Sequence, residues 1–418
     1  MKKYKNILIL AGGDSTRFWP LKNKNLWKFL GKSLIQHLLE KKPSQLNLAQ
    51  YANQITIVTN KNNQDQIQHI ANLTLHESRI KVISQKENLT GQAGAILSAK
   101  NLIKGEVLIL NANDIFDLIY LDYMHAYIID KKPAALLLAQ QVNKYFPGGY
   151  LKLEQEKISE IIEKPKPGKE PSNLVRLVVD YFSDFEALVK ILENTNSSRD
   201  DLYEKAINQY IKETKKVGYL VYDAQHHWFS LKYPWHVIPF TNYFLSSLNK
   251  DVVLGKKVKI AKTAKIVGPC FIGDDTVIGD FTLVRQSHIG KNCQIGGYSE
   301  VTRSYLSDGI CLHRNYVGDS VLDSNVQMGA GASTANFRFD AKSVKSLIGK
   351  DKIDTGLSKL GAIIGKNSKI GVNATLLPGV KIGKNTFIGP GETVYEDVED
   401  NKFILNGNKQ DNKLGIRY

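Results

Sequence analysis

The sequence is poor in cysteine and has no long apolar run. Its three cysteines, Cys270, Cys293 and Cys311, are odd in number and far apart, so neither a disulfide framework nor a zinc-binding spacing is supported. This scarcity favours a reducing cytoplasm as the location. No run of about 18 apolar residues occurs, so no membrane span is predicted. The basic, then apolar start, MKKYKNILILAGG, has too short an apolar stretch for a signal peptide.

A dense basic cluster with interleaved aromatic residues is also missing, which argues against nucleic-acid binding. The chain nevertheless carries 56 Lys and Arg against 41 Asp and Glu, a net charge of +15 over 418 residues. Such a surplus favours anionic ligands such as nucleotides, phosphates and coenzyme A, although a general bias toward lysine is the alternative explanation. The length allows two or three domains, each with its own core.

Residues 1–240 alternate between apolar strands and helical segments. Continuous apolar strands separated by helices predict an α/β domain, Rossmann-like, with a mostly parallel sheet covered on both faces. A helix is predicted in 91–103, where apolar residues recur at helical spacing. The predicted strands are 6–10, 55–59, 79–84, 107–111 and 134–139.

From about residue 252 the apolar residues recur every six positions, and glycine often follows them. This period fits neither a helix nor a flat strand, but it is typical of a β-solenoid in which each six-residue face turns one aliphatic side chain inward. Residues 329–360 break the period, and an irregular excursion from a solenoid is a usual place for a binding site. The periodic residues are Leu254, Ile260, Ile266, Ile272, Ile278, Val284, Ile289, Ile295, Val301, Ile364, Ile370, Leu376, Ile382 and Ile388.

These patterns predict a nucleotide-binding domain over 1–240, a linker helix over 241–252, a β-helix over 253–398 and a C-terminal tail over 399–418 to which no function is assigned.

The stretch LAGGDSTR, residues 10–17, follows the first strand, where an open α/β sheet holds phosphates on backbone N–H groups. It matches neither the Walker P-loop nor the G-x-G-x-x-G fingerprint. A Gly-Gly turn alone is commonly plain turn geometry, but Arg17 and Lys28 downstream favour a phosphate site.

This stretch resembles the signature of the sugar-1-phosphate nucleotidylyltransferases, L-A-G-G-x-G-T-R-L-x-P-L followed by P-K. Further segments resemble that family in the same order: residues 85–99 its base-recognition segment, 110–117 its metal-binding strand end, 147–153 and 160–168 its sugar-phosphate segments, and 228–238 the segment that closes the domain.

In this family a sugar-1-phosphate oxygen attacks the α-phosphorus of a nucleoside triphosphate and pyrophosphate leaves, which demands positioning and charge neutralisation. The resemblance implies that Arg17 and Lys28 neutralise the triphosphate and that Asp114 holds Mg²⁺. It also implies a set of substrate-binding residues. These are Ala11, Gly12, Gln85 and Gly91 around the base, and Gly149, Glu163 and Lys164 around the sugar phosphate.

The chain departs from the family pattern at several positions. Ser15 replaces a loop glycine, and Trp27 replaces the proline before the lysine. Arg176 stands where a sugar-contacting asparagine is expected and is compatible with a more anionic sugar, whereas Val178 replaces a glycine and would take space from a substrate. Ser230 stands where a second metal carboxylate is expected, which should weaken Mg²⁺ binding.

The second half resembles the acetyltransferase part of the bifunctional uridyltransferase/glucosamine-1-phosphate acetyltransferases, which have a left-handed β-helix. The likeness lies in LHRNYVGDS (312–320), GAGASTANFRFDAKSVK (329–345) and KLGAIIGKNSKIGVNATLLPGVKIG (359–383). It implies that His313 is the base that takes the proton of the attacking amine, that Tyr316 and Asn336 contact substrate, and that Lys342 and Lys345 meet the sugar phosphate. Four other histidines lack such a context and are interpreted as structural or surface residues: His226, His227, His236 and His288.

The main hypothesis is therefore a bifunctional enzyme that uses Mg²⁺ and acetyl-CoA and assembles as a homotrimer through its β-helix. Two alternatives stay open at this point. One is an acetyltransferase with a degenerate nucleotide-binding domain, and the other is a non-catalytic regulatory subunit of an active paralogue.

Overall fold

The computed structural model describes residues 3–40, 46–74, 79–197, 201–214, 216–223, 228–249, 251–405 and 407–411. It divides into two compact units, one of Met1–Asp14 and Leu34–Ser230 and one of Ser15–Ser33 and Leu231–Tyr418. This division differs from the single boundary predicted near residue 240, because Ser15–Ser33 groups with the second unit. The wider four-part scheme stays a prediction.

The first unit is built on a nine-stranded sheet with the strand order β10-β9-β11-β6-β1-β4-β5, in which β8 pairs with β11 and β12. Its strands are β1 (Tyr4–Ala11), β4 (Ala52–Thr59), β5 (Ile80–Ser84), β6 (Val107–Asn111), β8 (Ala135–Gln141), β9 (Gly149–Glu154), β10 (Lys157–Glu163), β11 (Leu174–Phe182) and β12 (Val217–Tyr222). A separate two-stranded sheet joins β7 (Asp114–Ile115) to β13 (Phe229–Ser230).

The sheet is parallel where the sequence predicts it, through β6, β1, β4 and β5. Strand β11 runs antiparallel to β6, β8 and β9, so the complete sheet is mixed. The apolar runs in β1 and β6 are buried because helices cover them, as expected for parallel strands. The helices of this unit are α1 (Leu34–Leu39), α2 (Gln64–Asn72), α3 (Gly91–Ser98), α4 (Ile119–Lys131), α5 (Phe185–Asn194) and α6 (Leu202–Thr214).

The second unit is a three-sided parallel β-helix. The first side holds β14 (Val252–Leu254), β17 (Cys270–Ile272), β20 (His288–Ile289), β23 (Tyr305–Leu306), β26 (Val321–Leu322), β31 (Ile363–Ile364) and β34 (Lys381–Ile382). The second holds β15 (Lys259–Ile260), β18 (Val277–Ile278), β21 (Gln294–Ile295), β24 (Cys311–Leu312), β27 (Gln327–Met328), β32 (Lys369–Ile370), β35 (Phe387–Ile388), β37 (Lys402–Leu405) and β38 (Asn408–Asp411). The third holds β16 (Lys265–Val267), β19 (Leu283–Arg285), β22 (Glu300–Thr302), β25 (Tyr316–Gly318), β28 (Ser333–Thr334), β33 (Thr375–Leu376) and β36 (Thr393–Val394).

Each side of the β-helix stacks one inward-facing side chain per coil. Most of these side chains are aliphatic, and the buried Thr334, between Val317 and Leu376, is an exception. On the first side, Ile272 pairs in register with Ile289, and that residue pairs with Leu306. All three are fully buried, and the other sides repeat the arrangement. The stack explains the six-residue period, because every coil must supply an inward side chain at each of its three faces.

Three further elements complete the second unit: the helix α7 (Val237–Ser246), the small hairpin of β2 (Lys28–Phe29) and β3 (Lys32–Ser33), and the hairpin of β29 (Lys345–Ile348) and β30 (Asp351–Asp354). The last hairpin lies within 329–360, where the sequence predicts an excursion. It pairs only within itself among the described strands.

The segment 15–33 packs on the β-helix through aromatic rings. The ring of Trp27 lies 5.4 Å from that of Tyr305, and the ring of Phe29 stacks on Phe244 of α7 at 4.9 Å. Among the described residues, no helix has both the length and the apolarity that a membrane crossing requires.

Candidate functional sites

The first candidate site lies at the carboxyl ends of β1 and β6. These neighbouring parallel strands pair Leu10 with Asn111, so the residues that follow them, Gly12 and Asp114, emerge at the same edge of the sheet. The N–H of Ala112 donates to the carbonyl of Leu10 at 3.0 Å and continues this pairing. Open α/β sheets bind their ligands at this edge.

Gly12 is covered by the side chain of Gln85. A Cβ atom at position 12 would lie 2.0 Å from Oε1 of Gln85, so any larger residue here would have to displace the Gln85 amide. The Gln85 amide in turn donates to the carbonyl of Leu89 at 2.7 Å and to that of Gly91 at 3.2 Å. The structure therefore brings together Gly12, Gln85 and Gly91, three of the residues predicted to surround the base.

Asp114 is buried, with 4% of its surface exposed. One carboxylate oxygen accepts from the amide of Asn111 at 3.2 Å and the other from the amide of Asn113 at 3.1 Å. Strand β13 places Ser230 directly opposite Asp114, and the Asn113 amide also donates to the Ser230 hydroxyl at 3.1 Å. The position predicted for a second carboxylate is thus beside Asp114, but it carries a neutral hydroxyl.

The oxygen atoms around Asp114 fit a Mg²⁺ site that has one carboxylate ligand instead of two. Mg²⁺ is commonly held by one or two carboxylates together with substrate phosphates and water. Asp114 supplies one carboxylate and Ser230 a neutral oxygen. Among the described residues no group of three or more His, Cys, Asp or Glu side chains is arranged for a metal, so a Mg²⁺ ion at Asp114 would need further ligands from a nucleotide and from water.

The residues predicted for the sugar phosphate meet at the β9–β10 hairpin. Glu163 pairs with Gly149 across the two strands, and a Cβ atom on Gly149 would lie 3.2 Å from Oε2 of Glu163. The Lys164 ammonium forms an ion pair with Glu163 at 2.9 Å. Gly149 therefore leaves open the space beside a carboxylate and an ammonium, a combination that can bind hydroxyl and phosphate groups.

The structure does not support the interpretation of Arg176 as a contact to an anionic sugar. Its guanidinium is buried and donates to Asp180 at 2.7 Å and to Glu204 of α6 at 2.5 Å, and it lies 4.9 Å from the ring of Tyr203. Its positive charge is thus neutralised inside the protein. The neighbouring Val178 is half-buried against the core of the first unit, beside an irregularity in the pairing of β11 with β8.

Arg17 and Lys28 lie in the second unit. Arg17 is exposed in a short 3-10 turn, Thr16–Phe18, which follows Ser15 at a left-handed φ of 58°. The Lys28 ammonium donates to Asp308 on the β-helix at 2.9 Å, and the Lys28 carbonyl accepts from the Tyr305 hydroxyl at 2.7 Å. Lys28 is therefore held against the β-helix by both its side chain and its backbone.

His313 occupies the exposed corner between β24 and β25. Its backbone N–H donates to Oδ1 of Asn315 at 2.7 Å, and its backbone carbonyl accepts from the Ser299 hydroxyl at 2.9 Å. Asn315 is buried and donates to the carbonyls of Gly329 and Ala332. The backbone of the corner is thus fixed while the imidazole faces solvent, an arrangement suited to a general base.

Tyr316 and Asn336 are joined in one network. The Asn336 amide donates to the Tyr316 hydroxyl at 3.1 Å and to Asp319 at 2.5 Å. Arg303 donates twice to Asp319, both times at 2.7 Å. A Cβ atom on Gly318 would lie 2.6 Å from the Tyr316 hydroxyl, so glycine is needed for the network to close.

Lys342 and Lys345 both line a cavity of about 600 Å³ on the second unit. In the described part of the chain, His313 forms no hydrogen bond with Lys342, Lys345, Tyr316 or Asn336.

Of the remaining histidines, His288 is buried between the rings of Phe271 and Tyr305, whereas His226 and His227 lie outside the described residues.

Comparisons with known proteins match both halves of the chain. The nucleotidyl transferase family model matches residues 6–231, and the model of the bacterial transferase hexapeptide (six repeats) matches 361–391. A protein of Sulfurisphaera tokodaii named bifunctional sugar-1-phosphate nucleotidylyltransferase/acetyltransferase is 30% identical, over 95% of this chain and 98% of its own. The chain belongs to this family of bifunctional nucleotidylyltransferase/acetyltransferases.

Two further relatives are also covered almost over their whole length. A protein named bifunctional protein GlmU from Methanococcus maripaludis strain S2 is 30% identical over 95% of this chain and 96% of its own. A protein of that name from a Synechococcus species is 25% identical over 98% and 97%. The expected fold, a Rossmann-like nucleotidyltransferase domain followed by a left-handed β-helix of hexapeptide repeats, is confirmed.

The structure also shows residues near these sites that the sequence patterns did not single out. Asn315 and Asp319 position His313 and Asn336, yet both resemble ordinary turn residues in the sequence. Lys24 begins a second 3-10 turn, Lys24–Leu26, and is half-buried. The lysines in this segment are closely spaced, and the spacing alone could not rank Lys24 against Lys28.

Proposed function

We propose that this protein makes a nucleoside-diphosphate sugar from a nucleoside triphosphate and a sugar-1-phosphate, and that it N-acetylates an amino-sugar phosphate with acetyl-CoA. The observation that carries the first activity is that Gly12, beside Gln85, and Asp114 both follow the carboxyl ends of two paired parallel strands. The second activity rests on the fixed corner that presents His313.

In the first reaction a phosphate oxygen of the sugar-1-phosphate attacks the α-phosphorus in line, and the bond to pyrophosphate breaks. The residues around Gly12 and Gln85 orient the base, and Glu163 with Lys164 orients the sugar phosphate. A Mg²⁺ ion held by Asp114 would neutralise charge on the phosphate oxygens. Arg17 acts on the triphosphate, and we propose that Lys24 shares the role predicted for Lys28.

In the second reaction the amine nitrogen attacks the thioester carbonyl, and the coenzyme A thiolate leaves. The His313 imidazole accepts the proton that the amine loses and returns it to the thiolate, which requires a group that titrates near neutral pH. Tyr316 and Asn336 line the acceptor site through their network, while Lys342 and Lys345 bind the phosphate. We further propose a homotrimer formed through the β-helix, which size-exclusion chromatography with light scattering would test.

The test measures both activities in two single variants. We expect His313→Ala to abolish acetyl transfer and leave pyrophosphate release intact, and Asp114→Asn to do the reverse. His69→Gln, a change at an exposed histidine of α2, is the control and should alter neither. Loss of both activities in either variant, with the fold preserved, would contradict the division of labour. Acetylation without pyrophosphate release from any pair of substrates would limit the function to the β-helix.

A further inference from the structure

The hairpin β29–β30 forms one wall of the cavity of about 600 Å³. The cavity lining has four cationic side chains, two carboxylates and one hydroxyl. Two of the cations, Arg338 and Lys352, have no role in the proposed function so far. A volume of this size falls within the range of small-molecule binding sites.

The strand register places Lys345 and Lys352 on the same face of the hairpin. Lys345 lies opposite Asp354, and Leu347 lies opposite Lys352. Because side chains alternate between the two faces of a strand, all four belong to one face. Their neighbour Ser346 is buried on the other face. The two lysines are therefore diagonal neighbours on the open face, within reach of one ligand.

The charges around the cavity match one phosphate monoester. Four cations and two carboxylates leave a surplus of two positive charges, and a phosphate monoester carries about −1.5 to −2 near pH 7. Arg338 is already paired with Asp340, at 2.8 Å between Nε and Oδ1. The ammonium groups of Lys342, Lys345 and Lys352 form no ion pair or hydrogen bond within the described part of the chain.

The hairpin is anchored where it meets the β-helix. The Lys381 ammonium donates to the carbonyl of Leu347 and to the carboxylate of Asp397, each at 2.5 Å. The Ser346 hydroxyl donates to the carbonyl of Gly379 at 2.9 Å. With its inner face fixed in this way, the hairpin presents Lys345 and Lys352 from a defined position, as a preorganised anion site requires.

We propose that Lys352 is a third phosphate-binding lysine of the β-helix site, and that it makes acetyl transfer depend on a phosphate monoester on the amino sugar. This proposal rests on the proposed acetyltransferase function. The phosphate would be held by Lys342 and Lys345 from one side and by Lys352 from the far strand of the hairpin.

The test compares Lys352→Ala with Lys350→Ala. Lys350 lies in the turn of the same hairpin, is exposed and does not line the cavity. With glucosamine-1-phosphate as acceptor, we expect Lys352→Ala to raise KM by about tenfold or more, since hydrogen bonds to charged groups are strong. The value of kcat should change little, Lys352→Arg should restore most of the affinity, and Lys350→Ala should match the wild type.

A second acceptor, glucosamine, separates a phosphate contact from a general effect. We expect the wild type to acetylate this phosphate-free sugar poorly, and Lys352→Ala should not alter that rate. An equal loss with both sugars, or no difference between Lys352→Ala and Lys350→Ala, would overturn the proposal. Calorimetric titration with glucosamine-1-phosphate tests binding without catalysis. If the wild type binds this ligand through Lys352 but acetylates nothing, the proposed function fails while the phosphate site stands.

Discussion

The guanidinium of Arg176 donates to the carboxylate of Asp180 at 2.7 Å, and both side chains are buried in the first unit. A second bond joins the guanidinium to Glu204, and the Tyr203 hydroxyl donates to Asp180 at 2.9 Å. An arginine that replaces a predicted sugar contact has thus become part of the interior. The cost of burying these charges is offset only while all partners are present.

We therefore expect Arg176→Asn to destabilise the protein, because it leaves Asp180 and Glu204 buried without a counter-ion. Breaking such a buried pair typically costs about 3–5 kcal/mol in the free energy of unfolding. Urea denaturation would measure the loss, with the exposed residue change Arg314→Asn as control. A loss no larger than that of the control would show that the buried pair contributes nothing.

The stability lost in the Arg176→Asn variant should depend on pH. Burial raises the pKa of Asp180 to about 6, although Arg176 acts in the opposite direction. A raised folded-state pKa means that this carboxyl favours the folded protein below its unfolded pKa of 3.8 and ceases to do so as the pH rises through about 6. Arg176→Asn should therefore be most damaging above pH 6, where Asp180 is charged.

The change Ser230→Asp should strengthen Mg²⁺ binding. Position 230 lies opposite Asp114 in the β7–β13 pair, so the new carboxylate would supply a second anionic ligand. We expect the Mg²⁺ concentration for half-maximal pyrophosphate release to fall by about tenfold, the effect of one additional charged contact. Ser230→Asn, which adds no charge, should leave it unchanged. An identical Mg²⁺ requirement in both variants would place the metal elsewhere.

Substitutions can rank Lys24 and Lys28, the two lysines of segment 15–33 that we propose act on the triphosphate. Lys28 is held to Asp308 and Tyr305 on the β-helix, and an exposed pair of this kind contributes little to stability. We expect Lys24→Ala to lower kcat/KM for the nucleoside triphosphate by at least about tenfold and Lys28→Ala to have a smaller effect. Steady-state pyrophosphate release measures both, and the reverse order would return the triphosphate role to Lys28.

The buried ammonium of Lys381 should be important for stability. Burial lowers the pKa of Lys381, whereas Asp397 acts in the opposite direction, and only 1% of its side chain is exposed. Lys381→Met keeps most of the volume and the backbone N–H bond to Oδ1 of Asp397, but it removes the ammonium that binds Oδ2 of Asp397 and the Leu347 carbonyl, at a cost of about 3 kcal/mol. Thermal unfolding would measure it against Lys384→Met, a change at a partly exposed lysine 4.0 Å from Asp400.

The buried His288 should make the β-helix less stable in acid. Burial lowers the pKa of His288 from 6.5 to about 4, against opposing contributions from the Leu306 carbonyl and from Asp308, while Lys28 lowers it slightly further. His288 in the unfolded chain takes up a proton near pH 6.5, whereas in the folded protein it does so only near pH 4. The free energy of unfolding should therefore fall by about 3 kcal/mol as the pH drops from 6.5 to 4. His288→Phe keeps the ring stack with Phe271 and Tyr305 and should remove this decline. A decline of equal size in the variant would assign it to other groups.

The sequence by itself determined the β-helix and the central strands of the sheet. The six-residue period predicted the stacked coils because the inward side chain of each face is a local requirement that every coil repeats. The apolar runs 6–10 and 107–111 predicted buried strands, and only the structure showed that these two strands are neighbours. The resemblance to the nucleotidylyltransferases named Gly12 and Gln85 together, and the structure places them side by side, while their role in base binding stays a prediction.

Only the tertiary structure decided the partners of the charged side chains. Arg176 meets Glu204 from 28 residues away, and Lys28 meets Asp308 from 280 residues away. In the sequence these residues are isolated charges, and their type permits a ligand contact as well as an internal ion pair. Lys352 likewise lies on the same face of the hairpin as Lys345 because the strand register pairs it with Leu347. Which charges remain for a substrate depends on long-range contacts, and no local pattern encodes them.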